Sequence, residues 1–135
     1  MNKQEIMKNK LLILLDNSYS PYSKFRVASI LVMKDGREFN GVNVENASYG
    51  ASICSERSAI VSAISNGYKK GDFESLYVMC GDSNTISTCC FVCRQVISEF
   101  FLPDDIITCF DKNGNYKEFK VNELCPYPFT EEDLK

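Results

Sequence analysis

Histidine is absent from the 135 residues. That removes the commonest general base and the commonest metal ligand. Acid–base chemistry therefore falls to carboxylates, thiols, lysine or a metal-bound water. There is also no run of eighteen apolar residues, so no helix of membrane-spanning hydrophobicity is expected. The opening MNKQEIMKNK is polar and lacks an apolar signal core, so it reads as the start of a helix in a cytoplasmic protein. Lysines and arginines are scattered in a chain of net charge −3, without the basic patch or stripe of a polynucleotide binder. A small neutral or cationic ligand suits this charge better than DNA, RNA or a membrane. Internal repeats and low-complexity linkers are missing too, and 135 residues with 44% hydrophobic content suit one core. A single domain over residues 1–135 is expected.

Cysteine is plentiful. Seven occur, at Cys54, Cys80, Cys89, Cys90, Cys93, Cys109 and Cys125. An odd number in a chain without a signal core fits a reducing compartment, where thiols are free or metal-bound.

The chain reads as an alternation of helices and strands. Apolar positions at Ile6, Leu11, Leu14 and Leu15 predict a helix over 3–18, followed by a turn at 18–23. Segments 26–33 and 38–44 mirror each other about Lys34-Asp35-Gly36 and predict a hairpin. A small, polar loop spans 46–53. Residues 54–66 read as a helix with Ala59, Ile60, Ala63 and Ile64 on one stripe and Gly67 just past its end. A strand over 74–80 and a polar loop over 81–88 precede a second such helix over 90–101, with Val92, Val96, Ile97 and Phe100 facing in. Strands over 105–110 and 116–121 flank Asn113-Gly114, and the tail 122–135 opens on a short helix or turn. This order predicts an α/β fold, helices packed on a mixed sheet.

Three cysteines stand out by position. Cys54 opens one predicted helix, and Cys90 and Cys93 open another. Helix N-termini lower thiol pKa values and favour anions. Two of them aimed at one point would hold three thiolates and a divalent cation. Three protein ligands leave the fourth tetrahedral position open, as in catalytic rather than structural zinc. Glu56, two residues past Cys54, is a carboxylate close to the metal but not needed as a ligand, so it can take a proton from water and pass it to a reacting nitrogen. Arg57 follows, and its guanidinium can offset the excess charge of three thiolates on Zn²⁺. Taken singly these residues are ordinary: a CxxC also serves thioredoxin-like redox chemistry, Glu56 is a common first-turn glutamate, and Arg57 is a common surface residue. Redox chemistry would leave Cys54 and Glu56 unexplained. Cys89 and Cys93 also stand four apart and could share a helix face. The spacing favours Cys90 as third ligand and leaves Cys89 as its competitor.

Cys54-Ser55-Glu56, followed 36 residues after Cys54 by Cys90-Phe91-Val92-Cys93, resembles the zinc-deaminase signature of a His or Cys, Glu two residues on, and then Pro-Cys-x-x-Cys. The flanking segments Ser20-Pro21-Tyr22-Ser23-Lys24-Phe25, Asn43-Val44-Glu45-Asn46-Ala47-Ser48-Tyr49-Gly50, Cys93-Arg94-Gln95-Val96-Ile97 and Glu123-Leu124-Cys125-Pro126 with Phe129 are similar to those of cytidine deaminases. The likeness runs from about residue 4 to 134 and is to the short, homotetrameric type. It implies a three-layer α/β/α fold with a mixed five-stranded sheet. It also implies zinc on Cys54, Cys90 and Cys93, and Glu56 as proton shuttle. Asn43 and Glu45 would bind the ribose hydroxyls, Phe25 would pack on the pyrimidine, and the backbone near Ser55 would touch the base. Arg57 would hydrogen-bond the thiolates, Phe129 would reach the pyrimidine from a neighbouring subunit, and Tyr49 would also reach a neighbouring site. The implied reaction turns cytidine and deoxycytidine into uridine and deoxyuridine, in pyrimidine salvage. On residue type alone, Phe25 and Phe129 are also ordinary core aromatics and Asn43 an ordinary turn former.

The sequence departs from that family in places. Cys89 stands where proline is usual, and Phe91-Val92 where Gly-Ala is usual, so Phe91 is expected to narrow the pocket near the leaving amino group. Ser55 replaces alanine, and Ala28-Ser29 replaces Gly-Ala. A deaminase of another cytosine nucleoside such as blasticidin S, or an inactive zinc-binding relative, are the competing readings.

Overall fold

The computed structural model describes residues 1–135. Helix α1 spans Lys3–Leu14, and Asn2 caps it by accepting from the Glu5 amide at 2.9 Å. A 3₁₀ turn over Leu15–Asn17 follows. Met7, Leu11 and Leu15, four apart, form its buried stripe. That stripe leaves Ile6 exposed, contrary to the expected pattern, because Ile6 lies about 100° round the helix from Met7.

Strands β1 (Val27–Met33) and β2 (Glu38–Val42) form the hairpin, with Gly36 at φ 91° in the connecting turn. Helix α2 spans Ser55–Ser65, β3 Phe73–Cys80, α3 Phe91–Phe100, β4 Ile106–Phe110 and β5 Tyr116–Lys120. A single helical turn, α4, covers Val121–Leu124. Val121, expected at the end of β5, instead opens α4 and is buried. The sheet order is β2-β1-β3-β4-β5, in which only β3 and β4 run parallel. The α/β class and the mixed five-stranded sheet are therefore as expected.

Strand alternation sorts the core into two layers. Ala28, Ile30, Val32, Tyr77, Met79 and Phe110 pack with the α1 stripe on one face. Leu31, Met33, Leu76, Val78, Ile107 and Cys109 pack under α2, α3 and α4 on the other. In α2, Ala59, Ile60 and Ala63 are buried, while Ile64 at the edge is exposed. In α3 the buried stripe is Cys93, Ile97 and then Phe101, with Val96 and Phe100 packed at its margin. Val92, expected inward, is exposed, since turning Cys93 to the interior carries its predecessor outward.

Gly41 on β2 decides how close α2 sits. A Cβ there would lie 2.2 Å from the Ser55 carbonyl oxygen and 2.7 Å from the Ala59 nitrogen, both backbone atoms. The absent side chain lets the first turns of α2 rest directly on the β1–β2 hairpin.

Candidate active site

Cys54 and Cys90 are the N-cap residues of α2 and α3, both with extended backbone. The Sγ atoms of Cys54, Cys90 and Cys93 all lie within 4.8 Å of one another, with Cys54 and Cys90 3.7 Å apart. Sulfurs on a tetrahedral zinc with Zn–S of about 2.3 Å stand about 3.8 Å apart. Three sulfurs so placed fit a small, thiophilic, tetrahedral divalent ion. The Cys90 sulfur also accepts from the Cys93 amide at 3.4 Å, and Arg57 Nη2 donates to the Cys54 sulfur at 3.6 Å. The Cys54 thiol is drawn down to about 6, chiefly by its hydrogen bond with Cys93, with Arg57 adding to the effect against the cost of burial. Cys93 is pushed up, because the same hydrogen bond and then burial hold its proton in place.

Cys89 does not join the cluster. It is buried against Cys109 in the core, and that contact, then burial, raises its pKa. The physical reason is the helix start: α3 begins at Phe91, so Cys89 precedes the N-cap and is not one helical turn from Cys93. Phe91 also departs from expectation. It is 74% exposed, carries the Arg94 guanidinium 4.3 Å from its ring centroid, and does not line the cleft beside the sulfurs.

That cleft has a volume of about 450 Å³. Cys54, Cys90, Glu56, Ser55, Ser87 and Thr88 line it together with Val27, Val78, Cys80, Phe25, Ser23, Asn43 and Glu45. Glu56, in the first turn of α2, is only 4% exposed, and its Oε1 accepts from Ser55 Oγ at 2.7 Å. Asn43 follows β2. Its Oδ1 accepts from the Val27 amide at 2.9 Å and from Ser18 Oγ at 2.5 Å, and its Nδ2 donates to the Phe25 carbonyl at 2.8 Å. One amide hydrogen remains for a ligand. Glu45 Oε1 accepts from the Tyr22 and Ser23 amides, each at 3.1 Å, and its Oε2 accepts from the Ser23 hydroxyl. The Ser23 hydroxyl is the main cause that holds Glu45 below the usual carboxylate range.

Tyr49 and Phe129 lie outside the cleft and are exposed. Tyr49 packs edge-on against Tyr22, and the Phe129 backbone is paired with the Gln95 side chain at 2.7 and 3.1 Å. Sequence reasoning passed over Ser23, Ser87 and Thr88, whose types are common in any loop. It also passed over Arg94, which donates to the Cys89 carbonyl at 2.6 Å, the Leu124 carbonyl at 2.9 Å and the Thr88 hydroxyl, tying the sulfur-bearing loop to α4. Three acceptors from two separate segments converge on that side chain only in the folded chain.

Residues 1–109 match the family described as the cytidine and deoxycytidylate deaminase zinc-binding region. The chain is 36% identical to a cytidine deaminase of Halalkalibacterium halodurans, over 99% of this chain and 98% of that one. It is 34% identical to a cytidine deaminase of Mycoplasma genitalium, over 92% of each. To a blasticidin-S deaminase of Bacillus cereus it is 26% identical, over 93% of this chain and 89% of that one. Its fold superposes on the crystal structure of cytidine deaminase from Burkholderia pseudomallei with a TM-score of 0.88 at 34% identity, covering 96% of this chain and 100% of that one.

Proposed function

The chain belongs to the cytidine and deoxycytidylate deaminase family, and from that membership we infer that it is an enzyme that hydrolyses the amino group from cytidine. The observation that carries this reading is one juxtaposition: three sulfurs within 4.8 Å of one another and a nearly buried carboxylate, Glu56, that lines the same cleft as Cys54 and Cys90.

Cys54, Cys90 and Cys93 are the residues that would hold Zn²⁺. Bound there, the ion supplies a Lewis acid that makes water nucleophilic near neutral pH. Glu56 moves the protons, taking one from the attacking water and delivering it to ring N3, then taking the second from the new C4 hydroxyl and delivering it to the exocyclic nitrogen, which departs as ammonia. Arg57 steadies the thiolate charge on Cys54. Phe25 packs on the pyrimidine, the backbone at Ser55 touches the base, and Asn43 and Glu45 bind the ribose hydroxyls through their remaining amide hydrogen and carboxylate lone pairs. Deoxycytidine is a second substrate on this reading, and the setting is pyrimidine salvage in the cytoplasm, by a chain acting as one domain over 1–135. No helix is long and apolar enough to cross a membrane.

Phe129 and Tyr49 are assigned to the clefts of neighbouring copies in a homotetramer. Their exposure outside their own cleft supports that assignment. Absorbance assays with cytidine, deoxycytidine and blasticidin S test the substrate, with cytidine expected to lead. Glu56→Ala is expected to keep its zinc and lose turnover by about a thousandfold. Normal turnover in that variant would overturn the role of Glu56, and ammonia release from none of the three compounds would overturn the enzymatic reading.

A further inference from the structure

Ser29 and Ser55 are both fully buried, yet each carries a hydroxyl on an otherwise apolar interface. Ser29 belongs to the face of β1 that includes Leu31 and Met33, under α2 and α3. Ser55 is the first residue of α2. Their oxygens are 2.6 Å apart, and Ser55 Oγ is 2.7 Å from Glu56 Oε1. A buried hydroxyl without a partner is destabilising, so two such groups call for an account.

Hydrogen counting orders the chain. Ser55 has one hydroxyl hydrogen and gives it to Glu56 Oε1. Its oxygen must then accept at the 2.6 Å contact, and Ser29 must be the donor there. We propose that Ser29 and Ser55 form a positioning relay, Ser29 donating to Ser55 and Ser55 to Glu56, that pins Oε1 and leaves Oε2 to carry protons in the cleft. Oε2 makes no hydrogen bond to a nitrogen or oxygen donor of the chain; the buried Cys89 thiol lies against the Glu56 carboxylate, and Glu56 lines the cleft. Gly41 permits the arrangement. It pairs with Ser29 across the hairpin, and its missing Cβ lets the Ser55 carbonyl approach the sheet.

The inference rests on Glu56 as the proton carrier. The test uses the zinc-loaded full chain and its Ser29→Ala, Ser55→Ala and double variants, reading kcat and KM for cytidine, zinc content, and the Glu56 side chain in crystal structures. Losing a hydrogen bond to a charged group should lower kcat of Ser55→Ala about tenfold, with KM and zinc content unchanged. Ser29→Ala should lose about threefold, because Ser55 keeps its bond to Glu56 but is itself less well held. The double variant should match Ser55→Ala, since Ser29 acts only through Ser55. Glu56 should occupy a second rotamer in Ser55→Ala, a change that a purely packing role would not produce. Wild-type kcat in Ser55→Ala, multiplying losses in the double variant, or an unmoved Glu56 would each overturn the relay. If Ser55→Ala fails to fold, Ser29→Ala decides alone: lower kcat at constant KM with a second Glu56 conformer supports the relay, and wild-type kcat overturns it. A wild-type chain inert toward cytidine would break the reading of Glu56, whereas an active wild type with unaffected serine variants breaks only the relay.

Discussion

On one face of β1, Ala28, Ile30 and Val32 pack with the apolar side chains of Met7, Leu11 and Leu15 of the N-terminal helical segment. On the other face, Leu31 and Met33 do the same kind of packing beneath α2 and α3, but Ser29 interrupts the row and meets Ser55 and, through it, Glu56. The first face asks only for apolar volume, which many side chains can supply. The second asks for a backbone approach that Gly41 alone permits, two N-capping cysteines aimed at one point, and hydroxyls in series. Stability can be lost on either face; the chemistry can be lost only on the second.

The largest expected effect separates neighbouring cysteines of the second face. Cys90→Ser should lose its zinc and about a thousandfold or more of turnover, whereas Cys89→Ser should keep its zinc and turn over at near the wild-type rate. Metal analysis and cytidine assays of the two variants check this, and zinc loss in Cys89→Ser would reassign the third ligand. Gly41→Ala comes next. The added methyl meets the α2 backbone at Ser55 and Ala59, so α2 must lift, at a cost of about 3 kcal/mol with a fall in kcat. Urea unfolding beside steady-state kinetics measures both, and an unchanged kcat would show that the close approach is not needed for the chemistry. Leu11→Ala tests the other face. Leu11 is fully buried, so stability should fall by about 2.5 kcal/mol while zinc content and kcat of the folded fraction stay as they were.

The smallest effect is expected at the rim of the cleft. The Ser23 hydroxyl and the backbone amides of Ser23 and Tyr22 depress the Glu45 pKa. A carboxylate with a depressed folded pKa gives its full contribution above its unfolded value, here 4.5, and loses it as pH falls further through the folded value. Hydrogen exchange at the Tyr22 and Ser23 amides should therefore remain protected from neutral pH down to the ordinary carboxylate range and speed up only below it. Loss of protection at higher pH would mean that something other than Glu45 holds the segment.

Much of the molecule was legible in the residues themselves. Asp35-Gly36 marks the hairpin because that turn requires a positive φ, and the apolar stripes of α2 and α3 mark helices because a period near 3.6 has one inward face. Errors fell where rotation about a helix axis matters, at Ile6, Val92 and Ile64, since a pattern of apolar residues locates a stripe only to within a residue. The site divides in the same way. Cys54, Glu56, Cys90 and Cys93 are visible because local spacing ties them to helix starts. Ser23, Ser29, Ser87, Thr88 and Arg94 are ordinary residue types: Ser23 and Ser29 meet partners more than twenty residues away, Arg94 reaches Leu124, and Ser87 and Thr88 come to the cleft only through the fold.

The sequence by itself determined the α/β alternation, the zinc-deaminase signature and the carboxylate beside it, because each is written in residue type and short spacing. Tertiary structure alone decided that Cys90 faces the other two sulfurs while Cys89 turns into the core, that Phe91 lies outside the cleft, and that Ser29 reaches Glu56 through Ser55. Those outcomes depend on where a helix begins and how closely it lies on a sheet, distances set by packing between segments that no local spacing encodes.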